Sequence, residues 1–128
     1  MNPIAFDSVT NLLEKYLDVQ TQRSQVIAGN IANVDTPGYV AKELDFNDFL
    51  RDAAAKSSLP LSKQSQDNNS AKMQVKDQVP TAIGLDGNTV DAGREMADLA
   101  QTGSSFTFGA KMLQSRLRLL RTAIREGK

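Results

Sequence analysis

The chain has no cysteine and no histidine. Disulfide staples, thiol nucleophiles and thiolate metal sites are therefore excluded, and the commonest metal ligand and general base are both missing. Tryptophan is absent too, and the other aromatics amount to five Phe and two Tyr in 128 residues. A compact globule of this size usually needs more bulky apolar side chains to offset its chain entropy. No apolar run approaches the roughly 20 residues of a membrane span. The stretch Met1–Asp7 lacks the basic and apolar regions of a cleavable signal peptide. Taken alone, that predicts a cytosolic protein unless export takes another route. There is no excess of either charge: 15 Lys and Arg stand against 15 Asp and Glu. A uniformly basic nucleic-acid binder and a uniformly acidic tail are both ruled out. The composition predicts one elongated domain whose surface is completed by partners.

What is present divides into four stretches. Residues 1–34 carry a helical period: Phe6, Val9, Leu13, Tyr16, Gln20, Arg23, Ile27 and Asn30 step by threes and fours. Pro3 suits a first helical turn, and the run from Phe6 to Ala32 holds one glycine and no proline. A helix is predicted from Asn2 to about Asn33. Residues 35–52 begin with the stop: Asn33, Asp35, Pro37 and Gly38 crowd into six positions. Pro37 disfavours helix at Thr36 and Gly38 permits positive φ. Behind the stop, Phe46, Phe49 and Leu50 form an apolar patch, with a short helix expected near Asp45. Residues 53–87 are rich in Ser, Gln and Asn with no aromatic side chain, too polar to hold themselves folded. Met73 and Val75 alternate with polar residues, which permits a short strand or hairpin near residues 72–80.

Residues 88–128 form the second predicted helix, with Asn88 or Asp91 as its cap. Met96, Leu99, Gly103, Phe106, Ala110, Leu113, Leu117, Leu120 and Ile124 recur at alternating spacings of three and four. That is an a/d seam over four heptads, and a seam needs a partner helix. The N-terminal helix is the obvious candidate. The predicted fold is therefore mainly α: an elongated antiparallel coiled coil of N- and C-terminal helices around an irregular polar middle. Charge is polarised within the neutral total. Residues 111–128 hold six cations against Glu126 alone, a net +5, so the remaining 110 residues sum to −5.

Candidate chemistry is sparse. Arg116, Arg118, Arg121 and Arg125 offer a phosphate-binding cluster, but no aromatic residue interleaves with them. A solvated or partner-facing helix side is the plainer reading. Phe106 and Phe108 resemble a ligand platform, yet the heptad assigns Phe106 to the seam. Asp45, Asp48 and Asp52 share a helical face but lack the loop glycine and bidentate Glu of a calcium site. Asn68-Asn69-Ser70 fits a glycosylation sequon, a pattern too common to carry weight. No catalytic, cofactor-binding or metal-binding residue is expected.

The stop signal is more specific than turn chemistry requires. Asn30-Ile31-Ala32-Asn33-Val34-Asp35-Thr36-Pro37-Gly38-Tyr39 resembles the N-terminal signature of bacterial flagellar rod, hook and hook-associated axial proteins. In that superfamily a long helix ends in this stretch and a heptad helix closes the chain. Asp35 and the short chain point to its proximal-rod branch. So do the run Asp86–Asp91, followed by Arg94-Glu95-Met96, and the ending Leu117–Ile124. Residues 5–50 and 84–125 carry the likeness; Gly103 and Phe106 depart from the usual Asn and Tyr.

The resemblance implies a non-enzymatic subunit of the flagellar basal body rod, without cofactor. Its expected partners are copies of itself, other proximal rod proteins and the adapter joining rod to inner-membrane ring. It would pass the flagellar type III export apparatus without a cleaved signal and reside in the periplasmic rod. Phe46 and Leu50 resemble that pathway's Phe-x-x-x-apolar export signal, with a small packing patch as the competing reading. No nucleic acid and no membrane insertion are expected. A sister proximal-rod subunit and, in another class, a nucleic-acid binder using the basic C-terminus are the alternatives.

Overall fold

The computed structural model describes residues 3–47, 49, 51 and 73–127, with side chains from Ser8 onward. Helix α1 runs Pro3–Ala32 and helix α2 runs Ala92–Glu126. Between them lie two short strands, β1 at Lys42–Leu44 and β2 at Val75–Asp77. The chain is also helical at Phe46, Asn47, Phe49 and Arg51. Residues 53–72 and Leu50 lie outside the described residues.

The two long helices pack against each other and run antiparallel. Asn30 meets Glu95, Arg23 reaches Asp98, and Tyr16 and Leu17 flank Gly109. As the number falls along α1 it rises along α2. Asp91 caps α2, its carboxylate accepting the Arg94 backbone N–H at 3.1 Å. Helix α1 stops at the predicted turn, and Gly38 there has a φ of 72°, open to glycine at little cost. The expected strand near residue 75 exists, but its partner is β1 rather than a hairpin neighbour. The pair is antiparallel, Lys42 opposite Asp77, Glu43 opposite Lys76 and Leu44 opposite Val75. Opposite charges face each other at two of those three positions, which favours this register.

Little apolar surface is fully covered. Among the described residues the buried apolar side chains are Val19, Ile27 and Ala41. Buried polar residues outnumber them: Gln20, Asn30, Gln78, Asn88, Thr89, Glu95 and Thr102. Among the described residues, shape is therefore held at the turn by directional hydrogen bonds rather than by a large core.

The face of α2 turned to α1 differs from the expected seam. Glu95, Thr102 and Gly109 are its buried residues, spaced by seven and one position over from the apolar row. Gly109 explains the choice. A Cβ there would stand 2.9 Å from Tyr16 Cδ1 and 3.0 Å from Leu17 Cδ2, so only glycine allows this helix approach. Gly103, expected as a small seam position, faces open space. Met96, Leu99, Phe106, Leu117 and Ile124 are 38–61 % exposed. Ala110, Leu113 and Leu120 are half-buried.

Candidate functional site

The described structure is densest in hydrogen bonds where α1 ends, and the predicted turn residues meet there. Asn33 donates from its side chain to the Gly29 carbonyl at 2.8 Å, closing the last turn of α1. Thr36 donates its hydroxyl to Asn33 Oδ1 at 3.1 Å and its backbone N–H to the Asn33 carbonyl at 3.0 Å. Tyr39 returns its N–H to the Thr36 carbonyl. Asp35 and Pro37 are exposed on the outside of this turn.

Asn30 is the centre of the joint. It is fully buried and uses both ends of its amide. Its Nδ2 donates to the Lys42 carbonyl at 2.8 Å and to Glu95 Oε2 at 3.0 Å. Its Oδ1 accepts the Lys42 N–H at 2.9 Å and the Tyr39 hydroxyl at 3.3 Å. One side chain thereby ties α1, the turn, β1 and α2 together, with every bonding position of the amide used. The other carboxylate oxygen of Glu95 accepts Gln78 Nε2 at 3.1 Å, which adds the segment after β2. Glu95 sits in the first turn of α2, where the helix dipole favours an anion.

A second clasp comes from residues 84–91. Asn88 Nδ2 lies 2.8–3.0 Å from the Asn33, Val34 and Thr36 carbonyls, and its Oδ1 accepts the Val90 N–H at 2.8 Å. Gly38 donates to the Asp86 carbonyl, and Thr89 donates to the Tyr39 carbonyl. Thr89 Oγ1 accepts the Ala41 N–H at 2.9 Å. Gly87 has a φ of 80° and packs by its Cα side on Gly38, so two glycines meet back to back.

Glu95, Asn88, Thr89 and Gln78 were not singled out from sequence as joint residues. Asn88 stands in the Asp86–Asp91 run that carries the resemblance and as one of two possible helix caps, and the cap is Asp91. Glu95 lies one position off the apolar row of α2, so the period does not mark it, and Gln78, Asn88 and Thr89 precede that helix.

Phe46 is partly exposed and its ring lies 5.3 Å from that of Phe49, while Leu50 lies outside the described residues. With Val19, Val26 and Leu44, Phe46 borders a groove of about 340 Å³ whose rim carries Arg23 and Arg94. Both arginines approach Asp98, at 4.0 and 3.9 Å. Asp45 pairs with Lys76, and that ammonium holds its carboxyl below the usual carboxylate range. Asp48 and Asp52 lie outside the described residues. Among the described residues no three His, Cys, Asp or Glu side chains gather to hold a metal. No described helix is long and apolar enough to cross a membrane.

Residues 17–39, the lower half of α1 with the turn, match the family described as Flagella basal body rod protein. The chain is 30 % identical to the flagellar basal body rod protein FlgB of Salmonella typhimurium, over 94 % of this chain and 96 % of that one. The chain belongs to the flagellar basal body rod protein family. It is FlgB-like. The FlgB of Escherichia coli is 29 % identical over the same shares, and that of Bacillus subtilis 26 % over 96 % and 98 %. Rod-family membership gives the joint its context: the matched segment contains Asn30, Asn33, Gly38 and Tyr39, the α1 half of the clasp. The protein is a structural subunit of the flagellar basal body rod.

Proposed function

We propose that the subunit polymerises through α1 and α2 into the proximal rod and passes motor torque along that shaft. The observation carrying this reading is the apolar row of α2. Leu117 and Ile124 are 50 % and 59 % exposed although α1 already occupies the neighbouring face. Four heptads of apolar spacing on a helix that is already paired call for a second partner, supplied by neighbouring subunits. A heterologous contact repeated with a rise builds a helical tube rather than a closed dimer.

The joint sets the angle at which each helix pair meets the rest of its subunit. Torque acting on the rod is then borne by many side-by-side helical contacts, with the bonds at Asn30, Asn88 and Glu95 resisting bending. The partners in this reading are other copies, other proximal rod proteins and the adapter to the inner-membrane ring. The chain reaches the periplasmic rod unfolded through the flagellar type III export apparatus, with Phe46 and Leu50 as its export signal. Replacing both by Ala tests that last element: lost export supports the signal, and normal export with failed assembly assigns them to packing.

The seam is tested by Leu117→Asp. Because Leu117 is half exposed, the isolated variant should melt within about 1 kcal/mol of the parent. Export should persist while rod assembly and swimming are lost. Full swimming with Leu117→Asp would take the seam out of the assembly.

A further inference from the structure

Lys111, Arg118 and Arg125 recur every seven residues and form one row along α2. At about 100° per residue, the row lies opposite Glu95, Thr102 and Gly109, the residues seated on α1. Arg121 borders it. Among the described residues, these four side chains make no ion pair or hydrogen bond. Apolar shoulders stand on both sides of the row: Phe108, Met112 and Leu119 on one, Leu117 and Ile124 on the other. All five are 46–65 % exposed. Helix α1 carries a complementary feature. Glu14 and Asp18, one turn apart, are exposed on the side facing away from Val19, Ile27 and Asn30, and neither is ion-paired among the described residues.

We infer that the basic row on α2 of one copy seats against the Glu14 and Asp18 face of α1 on the next copy. The inference rests on the rod reading above and specifies which faces meet. The two surfaces sit on opposite outer sides of one helix pair, so each copy offers a donor face and an acceptor face. That makes the contact heterologous and open to repetition. The arrangement of the shoulders argues against other occupants. A helix lying on an anionic bilayer needs one apolar face opposite its charges. Here the charges stand between two apolar strips, and a bilayer cannot take both. A nucleic acid backbone would satisfy the cations but leave Phe108, Leu119 and Ile124 in water. A second protein surface can cover both shoulders while its carboxylates meet the row.

The test uses the full chain in a flagellated strain lacking its own copy, comparing Arg118→Glu with Arg125→Glu, Glu14→Lys with Asp18→Lys, and all four together. Each pair of reversals should lower incorporation into purified basal bodies at least tenfold, and the fourfold variant should recover at least a third of it. Unchanged incorporation in both pairs, or no recovery in the fourfold variant, would overturn the inference. A second measurement covers variants that fail to fold or to be exported. The chain has no cysteine, so Asp18→Cys or Glu14→Cys can be combined with Lys111→Cys, Arg118→Cys or Arg125→Cys without background. Oxidised basal bodies should give a ladder of cross-linked copies from at least one pairing, and none from any pairing overturns the inference. Retention on anionic vesicles or DNA that the arginine reversals abolish, with basal-body incorporation intact, assigns the row elsewhere and overturns it too. If the parent chain itself is missing from basal bodies, the rod reading falls first, a result distinguishable from failure of the charge pairs alone.

Discussion

Asn88→Ala probes the clasp where its geometry is most demanding. The Asn88 amide has two hydrogens for three carbonyls, at 2.9 Å from Asn33, 3.0 Å from Val34 and 2.8 Å from Thr36. Alanine removes all three contacts and the bond from the Val90 N–H. Asn33 keeps the Thr36 N–H at its carbonyl and Thr36 keeps the Tyr39 N–H, so neither is orphaned. The Val34 carbonyl and the Val90 N–H are left without these partners. A part-buried group so deprived costs on the order of 1–3 kcal/mol. Their proximity to solvent favours the lower half of that range, which gives about 2–4 kcal/mol for the pair. The amides that report the clasp are Gly38, bonded to the Asp86 carbonyl, and Thr89, bonded to the Tyr39 carbonyl. At 1.4 kcal/mol per factor of ten, their hydrogen-exchange protection should fall about 30- to 700-fold. Asn88→Asp should be worse still, because a carboxylate would then face three carbonyl oxygens while only the Val90 bond survives. Protection within threefold of the parent for Asn88→Ala, or an aspartate tolerated as well as the asparagine, would refute the reasoning.

Two glycines of α2 should respond in opposite directions. Gly103→Ala meets nothing within 4 Å and should stabilise the isolated chain by about 0.5–1 kcal/mol through helix propensity. Gly109→Ala drives a methyl against Tyr16 and Leu17 and should cost about 1–3 kcal/mol in a thermal melt. Equal shifts would contradict the packing. Glu95→Gln should be mild, below about 1 kcal/mol, because the Gln78 amide can turn over and restore its bond; Glu95→Leu leaves both Gln78 Nε2 and one hydrogen of the buried Asn30 Nδ2 unpaired and should cost about 2–6 kcal/mol. If glutamine is as damaging as leucine in urea unfolding, the network needs the charge and not only the bonds. The Asp45 carboxyl, held low by Lys76, contributes to the strand pair above the ordinary carboxylate value, and that contribution is lost as pH falls through the depressed folded value. Carboxyl NMR titration should show Asp45 moving up toward the ordinary range in Lys76→Met, with the Asn47 N–H still favouring its charged form, and no movement would remove Lys76 as the main cause.

Local grammar was legible where the chain carries its own punctuation. The α1 stop needs only Pro37, Gly38 and the surrounding Asn and Asp, and the observed helix ends at Ala32, one residue before the expected Asn33. Asp91 announces α2 in the same way. Pairings across long sequence separations were not legible. Nothing local to Val75–Asp77 names Lys42–Leu44 as its partner, because register is set by contacts that exist only in the folded chain. The face of α2 that meets α1 was misplaced by one residue for a related reason. Apolar spacing marks which side of a helix must be covered, without saying whether the cover comes from the same chain. Here the same-chain cover falls on Glu95, Thr102 and Gly109, a carboxylate, a hydroxyl and a glycine. Such residues look like surface until Asn30 and Tyr16 are set against them.

The most direct test of the rod assignment is deletion of this chain's gene in its own bacterium, followed by imaging of purified basal bodies and complementation with the parent sequence. The account predicts inner-membrane rings without a rod and no swimming in the deletion strain, both restored when the parent chain returns and is found in the basal bodies. Intact rods and normal swimming in the deletion strain would contradict it.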